Sequence, residues 1–139
     1  MIRNVSRSDL SKIINIENQS FSTPWPRFMF RSHLGNPGFV LYEQDDAVKG
    51  YVIVDIIDSR LHLMSIAVHP KYQRCGIGTN LIDWCIEFGK IHGASMLTLE
   101  VREKNRSVQM FYLKNGFDVQ GIMPGYYIDD NAVAMYKEI

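Results

Sequence analysis

Alternating apolar and polar residues in the first half of the chain predict a small antiparallel sheet. Strand-like runs occupy residues 2–5, 39–43, 48–57 and 60–68, with short polar turns between the last three. Between the first two runs, Leu10, Ile13 and Ile14 follow helical spacing, and Ser8 is placed to cap that helix. A proline-rich break ends it, because proline lacks a backbone donor. A short second helix is expected over residues 27–34.

The second half of the chain alternates between helical and strand patterns. One helical face in the segment 77–89 carries Ile77, Leu81, Ile82, Cys85 and Ile86. A strand over 96–101, a helix over 106–115, and strands over 117–123 and 132–136 follow. Since strand, glycine-rich turn, helix and strand succeed one another over 60–101, we expect a right-handed crossover with parallel strands. The pattern predicts a mixed α/β fold with a mostly antiparallel, twisted sheet of about seven strands and helices on both faces.

Length and composition narrow the class of protein. The chain has 139 residues, 46% hydrophobic and 22% charged, which is typical of one globular domain, expected here over 1–139. Its 15 basic residues balance 15 acidic ones, which disfavours direct binding to nucleic acid. Cys75 and Cys85 are too few for a disulfide framework and lack the spacing of a metal site. With no signal peptide and no membrane-length apolar run, we expect a cytoplasmic protein without a membrane partner.

A glycine-rich turn between a predicted strand and a predicted helix is the first candidate binding site. It reads Gln73-Arg-Cys-Gly-Ile-Gly78. Its glycines let the backbone approach a ligand closely, and the first N–H groups of the next helix have no internal partner. With the helix dipole and the charges of Lys71 and Arg74, a pyrophosphate is a chemically sensible occupant. The alternative is a tight turn whose glycines serve geometry alone.

Three motifs, in order, resemble those of the GNAT superfamily of N-acetyltransferases. The run Ile66-Ala-Val-His-Pro-Lys-Tyr-Gln-Arg-Cys-Gly-Ile-Gly-Thr79 resembles the acetyl-coenzyme A motif of that superfamily. Leu99-Glu-Val-Arg-Glu-Lys-Asn105 and Phe111-Tyr-Leu-Lys-Asn-Gly-Phe117 resemble the segment that follows it. Phe21-Ser-Thr-Pro-Trp-Pro26 and Tyr126-Tyr127 are similar to RimI-like N-terminal acetyltransferases of bacteria and archaea. The resemblance spans nearly the whole chain. It implies an acetyltransferase that uses acetyl-CoA and releases coenzyme A.

The resemblance also implies which residues hold the cofactor. The strand backbone of Ile66, Ala67 and Val68 would bind the pantetheine arm. The pyrophosphate would lie against Arg74, Cys75, Gly76, Ile77, Gly78 and Thr79. Asn105 would bind near the pantetheine, although from the residues alone it is an N-cap for the helix starting at Arg106. A covalent acetyl-cysteine route through Cys75 is a less favoured alternative, because the motif uses the backbone at this position.

Acetyl transfer to an amine needs a neutral amine, support for an oxyanion and a proton for the departing thiolate. Glu100 is the candidate base, since a carboxylate is unexpected in an otherwise apolar strand. The alternative is a frayed strand end where Glu100 pairs with Arg102 or Lys104. By spacing Tyr112 is a core aromatic, whereas the resemblance makes it the proton donor to the coenzyme A sulfur. His62 could assist as a base, although a satisfied strand histidine is the simpler interpretation.

Substrate contacts are expected from two segments. Trp25, between two prolines, could wall a peptide groove or only anchor a loop. Tyr126 and Tyr127 match a tyrosine pair with which resembling enzymes contact the N-terminal residues of their substrates. The following turn, Ile128-Asp-Asp-Asn-Ala132, is one residue shorter than the family pattern and lacks its Gly and Glu. The side-chain preference of the peptide pocket is therefore left open.

The energetics of amine deprotonation favour an α-amine substrate. An α-amine has a pKa near ~7.7–8 and lysine near ~10.4, a gap of about 3.5 kcal/mol that a lysine-directed enzyme must also overcome. We therefore expect direct acetyl transfer, in a ternary complex, to protein or peptide N-termini, including ribosomal and nascent chains. The alternatives are a small-amine or lysine acetyltransferase of the same fold, and an acyl-CoA-binding sensor. The joint presence of Glu100 and Tyr112 argues against the sensor.

Overall fold

A computed structural model describes residues 1–139. Its elements, in chain order, are β1 Ile2–Asn4, a 3-10 helix Arg7–Asp9, α1 Leu10–Ser20, α2 Arg27–Ser32, β2 Phe39–Gln44, β3 Ala47–Ile57, β4 Arg60–Val68, a 3-10 helix Pro70–Tyr72, α3 Ile77–Ile91, β5 Met96–Arg102, α4 Arg106–Lys114, β6 Asp118–Tyr127 and β7 Asp130–Glu138. The seven strands form one sheet in the order β1-β2-β3-β4-β5-β7-β6. β4 and β5 are parallel, whereas β1–β2, β2–β3, β5–β7 and β6–β7 are antiparallel. The predicted mixed α/β fold, with its parallel crossover through α3, is confirmed.

The chain forms two compact units, and β3, β4 and α3 each run through both. Unit 1 comprises Met1–Asp55 and Met64–Phe88, and unit 2 comprises Ile56–Leu63 and Gly89–Ile139. A single domain over 1–139 stays a prediction. None of the helices is long and apolar enough to span a membrane.

The core of unit 1 anchors α2 through Phe30. The Tyr51 ring meets the Phe30 ring edge-on with centroids 5.7 Å apart, and the Phe39 ring lies 6.3 Å away. Around them pack the buried side chains Leu10, Ile13, Ile16, Leu41, Val48 and Ile53. Because tightly packed aromatic rings leave little room to shift, α2 and the chain before it are held against β2 and β3.

Within unit 1, α3 packs closely on β3 at Gly50. A Cβ there would lie 3.0 Å from the carbonyl oxygen of Ala67 and 3.3 Å from the side chains of Ile77 and Leu81. Ile77 and Leu81 belong to the helix face that was predicted to be buried, and both are buried. The glycine at position 50 thus lets α3 approach the sheet and fixes the glycine-rich turn that begins this helix.

The first helical segment begins earlier than predicted, and the expected cap at Ser8 is wrong. The backbone N–H of Ser6 donates to Asp9 Oδ2 at 2.8 Å, and the Ser6 hydroxyl donates to the same oxygen at 2.9 Å. Asp9 is buried and forms a salt bridge with Arg3 at 2.9 Å, which holds the pKa of Asp9 well below its usual range. A buried carboxylate needs such partners, and this requirement places the cap at Ser6.

In unit 2, α4 is fastened to the end of β5. The Gln109 side-chain amide donates to the carbonyl oxygens of Arg102 at 3.1 Å and Glu103 at 2.8 Å. Tyr112 is 3% exposed, and its ring packs edge-to-face on Phe117 with centroids 5.3 Å apart. β5 pairs with β7 over its whole length. These contacts give the strand that carries Glu100 a rigid support.

Candidate active site

Glu100 lies beside His62 on one face of the parallel β4–β5 pair. The register places His62 opposite Thr98, and residues two apart on a strand point to the same face, so Glu100 shares that face. His62 Nε2 lies 2.8 Å from Glu100 Oε1. The two side chains are 29% and 18% exposed, so the pair is partly screened from water but open to a ligand. A neutral His62 that donates here carries its proton on Nε2.

Tyr126 donates to the same carboxylate oxygen. Its hydroxyl lies 3.3 Å from Glu100 Oε1. Burial raises the pKa of Tyr126, and the neighbouring Glu100 carboxylate raises it further. The phenol therefore keeps its proton around neutral pH and remains a donor. Two side chains from different strands thus contact one oxygen of Glu100, and these contacts fix its orientation.

Tyr127 is held by Arg102. The Arg102 guanidinium lies 4.3 Å above the centroid of the Tyr127 ring and pairs with Asp129. Burial raises the pKa of Tyr127 to about 12, and Arg102 holds the pKa of Asp129 below its usual range. The rings of Tyr126 and Tyr127 meet edge-on, with centroids 4.9 Å apart. Glu100 contacts His62 and Tyr126, whereas Arg102 pairs with Asp129 of the β6–β7 hairpin.

The β6–β7 turn borders a cleft of about 410 Å³, whose walls include Tyr127, Ile128 and Asp130. The β6–β7 register shifts between Met123 and Tyr127, and such irregularities re-aim side chains. Asp130 Oδ2 accepts from the backbone N–H of Lys104 at 3.0 Å. The Asp130 carboxylate at the β6–β7 turn is therefore used to bind backbone within unit 2, whereas the Ile128 side chain in this turn is fully exposed.

The glycine-rich turn has the features that an anion-binding turn needs. Arg74 and Gly76 have φ values of 64° and 81°, and a Cβ at Gly76 would meet nothing within 4 Å. The N–H of Asn80 donates to Gly76 O at 3.0 Å, so the three N–H groups before it precede the first helical hydrogen bond. The side chains of Lys71 and Arg74 are exposed. The turn suits the pyrophosphate of acetyl-coenzyme A. It offers free N–H groups, the positive end of a 15-residue helix and two cationic side chains beside open space.

Two further candidate residues have structural roles. Asn105 Oδ1 accepts from the backbone N–H of Val108 at 3.3 Å, which confirms the N-cap of α4. Trp25 lies in unit 1, with its ring 5.4 Å from that of Phe30 and 5.8 Å from that of His33. These contacts anchor the loop before α2. The binding roles of both residues stay predictions.

Comparison with known proteins decides the family. A family model described as the acetyltransferase (GNAT) family matches residues 10–117. The chain belongs to the GNAT acetyltransferase family. The [ribosomal protein bS18]-alanine N-acetyltransferase of Escherichia coli K12 is 30% identical, with 91% of this chain and 86% of the relative covered. The N-alpha-acetyltransferase of Sulfurisphaera tokodaii is 31% identical, with 92% and 86% covered.

Solved structures share the fold. The crystal structure of Ard1 from Thermoplasma volcanium matches with a TM-score of 0.94 and 24% identity over 100% of this chain and 97% of the other. GNAT acetyltransferases use acetyl-CoA as acetyl donor. The predicted acetyl-CoA-dependent acetyltransferase with a GNAT fold is therefore confirmed, and the sensor alternative is set aside.

Proposed function

We propose that this acetyltransferase transfers the acetyl group to the N-terminal α-amine of proteins or peptides, directly and within a ternary complex. The observation that carries the proposal is the cluster in which His62 and Tyr126 both bind Glu100 Oε1. In this cluster, the carboxylate of Glu100, which is the proposed proton acceptor, lies beside Tyr126, one of the two tyrosines that we expect to contact a peptide. The names of the two relatives, a [ribosomal protein bS18]-alanine N-acetyltransferase and an N-alpha-acetyltransferase, support the same substrate class.

Glu100 is the proposed base. When bound, acetyl-coenzyme A supplies the acetyl group as a thioester, so the chain has to orient the amine and take its proton. A carboxylate has about four lone-pair positions and keeps acceptor capacity after receiving two hydrogen bonds. The donors fix Glu100 in one orientation, and a positioned base within reach of the amine is what general-base catalysis requires.

His62 is the proposed second member of the proton route. Its Nε2 lies 2.8 Å from Glu100 Oε1; in the tautomer protonated on Nδ1, this nitrogen accepts a proton that Glu100 has taken up, whereas in the Nε2–H tautomer it donates to the carboxylate. The imidazole is 29% exposed and can exchange that proton with solvent. This arrangement supports an assisting role for His62, with Glu100 as the group facing the amine.

We further propose that the predicted cofactor residues hold acetyl-coenzyme A. The backbone of Ile66–Val68 binds the pantetheine arm, residues 74–79 bind the pyrophosphate, and Asn105 binds near the pantetheine. Tyr112 donates the proton that the leaving sulfur needs. The substrates we expect are ribosomal proteins or nascent chains met in the cytoplasm, with Tyr126, Tyr127 and Trp25 contacting the first residues.

Initial rates with three classes of acceptor test the proposal. The acceptors are a peptide with a free N-terminus, the same sequence with a blocked N-terminus and an added lysine, and a small polyamine. We expect the highest kcat/KM for the free N-terminus, and intersecting double-reciprocal plots when both substrates are varied. A preference for the lysine or the polyamine would overturn the α-amine assignment. Parallel double-reciprocal plots for wild type, together with loss of activity in Cys75→Ala, would favour the covalent route.

A further inference from the structure

A buried carboxylate in α1 takes no part in the proposed chemistry. Glu17 is 2% exposed and lies in the same helix as the core residues Ile13 and Ile16. A carboxylate without partners is strongly destabilising in such a place. The partners of Glu17 therefore indicate what this residue does.

Both carboxylate oxygens of Glu17 accept hydrogen bonds within unit 1. Oε2 accepts from the backbone N–H of Trp25 at 2.9 Å. Oε1 accepts from the Ser65 hydroxyl at 3.3 Å and from the Tyr51 hydroxyl. Burial raises the pKa of Tyr51 well above its ordinary value, and the Glu17 charge raises it further, so this phenol keeps the proton that it donates.

The network connects the loop before α2 with the strand proposed to hold the cofactor. Trp25 lies in the segment Phe21–Pro26 between α1 and α2. Ser65 lies on β4 and immediately precedes Ile66–Val68, the backbone assigned to the pantetheine arm. Glu17 bridges the two, with one oxygen bound on each side. The carboxylate therefore sets where the Trp25 backbone lies relative to β4.

Core stability alone does not explain a carboxylate at this position. The Tyr51 and Ser65 hydroxyls lie 3.0 Å apart and can bind each other. An unbranched apolar side chain of similar volume would avoid the cost of a buried charge, and replacements of this kind are often neutral or stabilising. The Trp25 amide would lose its acceptor, and so would one of the two hydroxyl protons, because the Tyr51–Ser65 pair satisfies only one. Of these groups, only the Trp25 amide belongs to the loop before α2. The residue is thus explained by the need to hold Trp25.

We propose that Glu17 is a positioning residue that fixes Trp25 and the segment Phe21–Pro26 against β4, and so sets the affinity for the peptide. This inference rests on the proposed function, in which Trp25 contacts the substrate. Because Glu17 is buried, we assign it no direct contact with substrate or cofactor.

The kinetic test uses Glu17→Met with Glu17→Gln as its conservative partner. Met removes the acceptor, so we expect the peptide KM to rise roughly tenfold, with kcat and the acetyl-coenzyme A dissociation constant within about twofold of wild type. Gln retains a side-chain oxygen for the Trp25 amide and should restore the wild-type KM. Asp9→Asn is the matched control, because it weakens another buried carboxylate pair of unit 1 and should lower the melting temperature without changing KM. A wild-type peptide KM in folded Glu17→Met overturns the proposal.

A fluorescence measurement separates this inference from the proposed function. The chain has two tryptophans, so Trp84→Phe leaves Trp25 as the sole tryptophan, which can be excited selectively over the seven tyrosines. Adding Glu17→Met should increase acrylamide quenching of Trp25, and an unchanged quenching constant contradicts the positioning role even where KM changes. If wild type acetylates no peptide, the proposed function fails while quenching still decides the role of Glu17.

If Glu17→Met does not fold, Tyr51→Phe removes one donor to Glu17 and should raise the peptide KM roughly threefold; an unchanged KM then overturns the inference.

Discussion

Replacing Glu100 by Gln should separate its basicity from its shape. Gln keeps an oxygen that can accept from His62 Nε2 and the Tyr126 hydroxyl, which lie 2.8 Å and 3.3 Å from Oε1. The orientation of the side chain should therefore survive while proton uptake is lost. Since a positioned general base contributes roughly 10²–10⁴-fold, kcat should fall by that factor near neutral pH. Acetyl-coenzyme A affinity should change little, because the proposed cofactor contacts come from other residues.

Alkaline pH should partly rescue this variant. About a tenth of α-amines are neutral near pH 7 and about nine-tenths near pH 9, so kcat of Glu100→Gln should rise about tenfold over that range. Wild type should rise less, because its base already removes the proton. The raised pKa values of Tyr126 and Tyr127 keep both phenols protonated over the same range, so their contacts do not limit the rescue.

Stopped-flow single turnovers and pH–rate profiles of both proteins measure these effects. Glu138→Gln is a matched control, because Glu138 is an exposed carboxylate at the opposite end of the β5–β7 ladder, paired with Met96. It should behave as wild type. If Glu100→Gln keeps near-wild-type turnover at neutral pH with chemistry rate-limiting, the base is another residue or bulk water, and His62 becomes the next candidate.

Three further changes test the cofactor turn, the proposed acid and the charge buried in unit 1. Gly76→Asp or Gly78→Asp should abolish acetyl-coenzyme A binding by calorimetry, because each sets a carboxylate where the pyrophosphate is expected; wild-type affinity in both would remove that assignment. Tyr112→Phe should lower kcat without rescue at alkaline pH, because the missing proton is on the leaving-group side; recovery at high pH would contradict the role. Asp9→Asn should destabilise the protein by about 1–3 kcal/mol near neutral pH, less than the loss of a fully buried pair, because Arg3 is partly exposed and also pairs with Glu43. Since Arg3 depresses the folded-state pKa of Asp9, this stabilisation is present above the unfolded pKa of about 3.9 and is lost on acidification. The difference in melting temperature should therefore shrink below about pH 4, and a difference independent of pH would argue against the ion pair.

The sequence predicted most elements because their local patterns were strong. The apolar face of α3 begins at Ile77, and the observed helix starts there and runs to Ile91. β6 was expected to end at Met123 but continues to Tyr127. β6 is an edge strand and can continue through Pro124, because one side of an edge strand makes no ladder hydrogen bonds.

The partners in the site were harder to predict because they depend on contacts distant in sequence. Glu100 and Arg102 are two residues apart and share a strand face, so their pairing was a natural interpretation. The β4–β5 register instead brings His62 to Glu100, and the hairpin brings Asp129 to Arg102. If His62 had been aligned with Thr98 in the parallel β4–β5 pair, it would have been placed beside Glu100, which is two residues beyond Thr98 on the same strand face. For Glu17, no motif indicates that its side chain reaches the Trp25 amide.

A single-turnover reaction on one peptide that carries both a free α-amine and a lysine tests directly whether Glu100 promotes acetylation of the α-amine. Wild-type enzyme, acetyl-coenzyme A and the peptide are mixed near pH 7, and tandem mass spectrometry assigns the acetylated nitrogen. We expect acetyl on the α-amine, because its lower pKa leaves far more of it neutral, and a strong loss of this product in Glu100→Gln. Acetyl on the lysine, or equal yields from wild type and Glu100→Gln, would contradict this expectation.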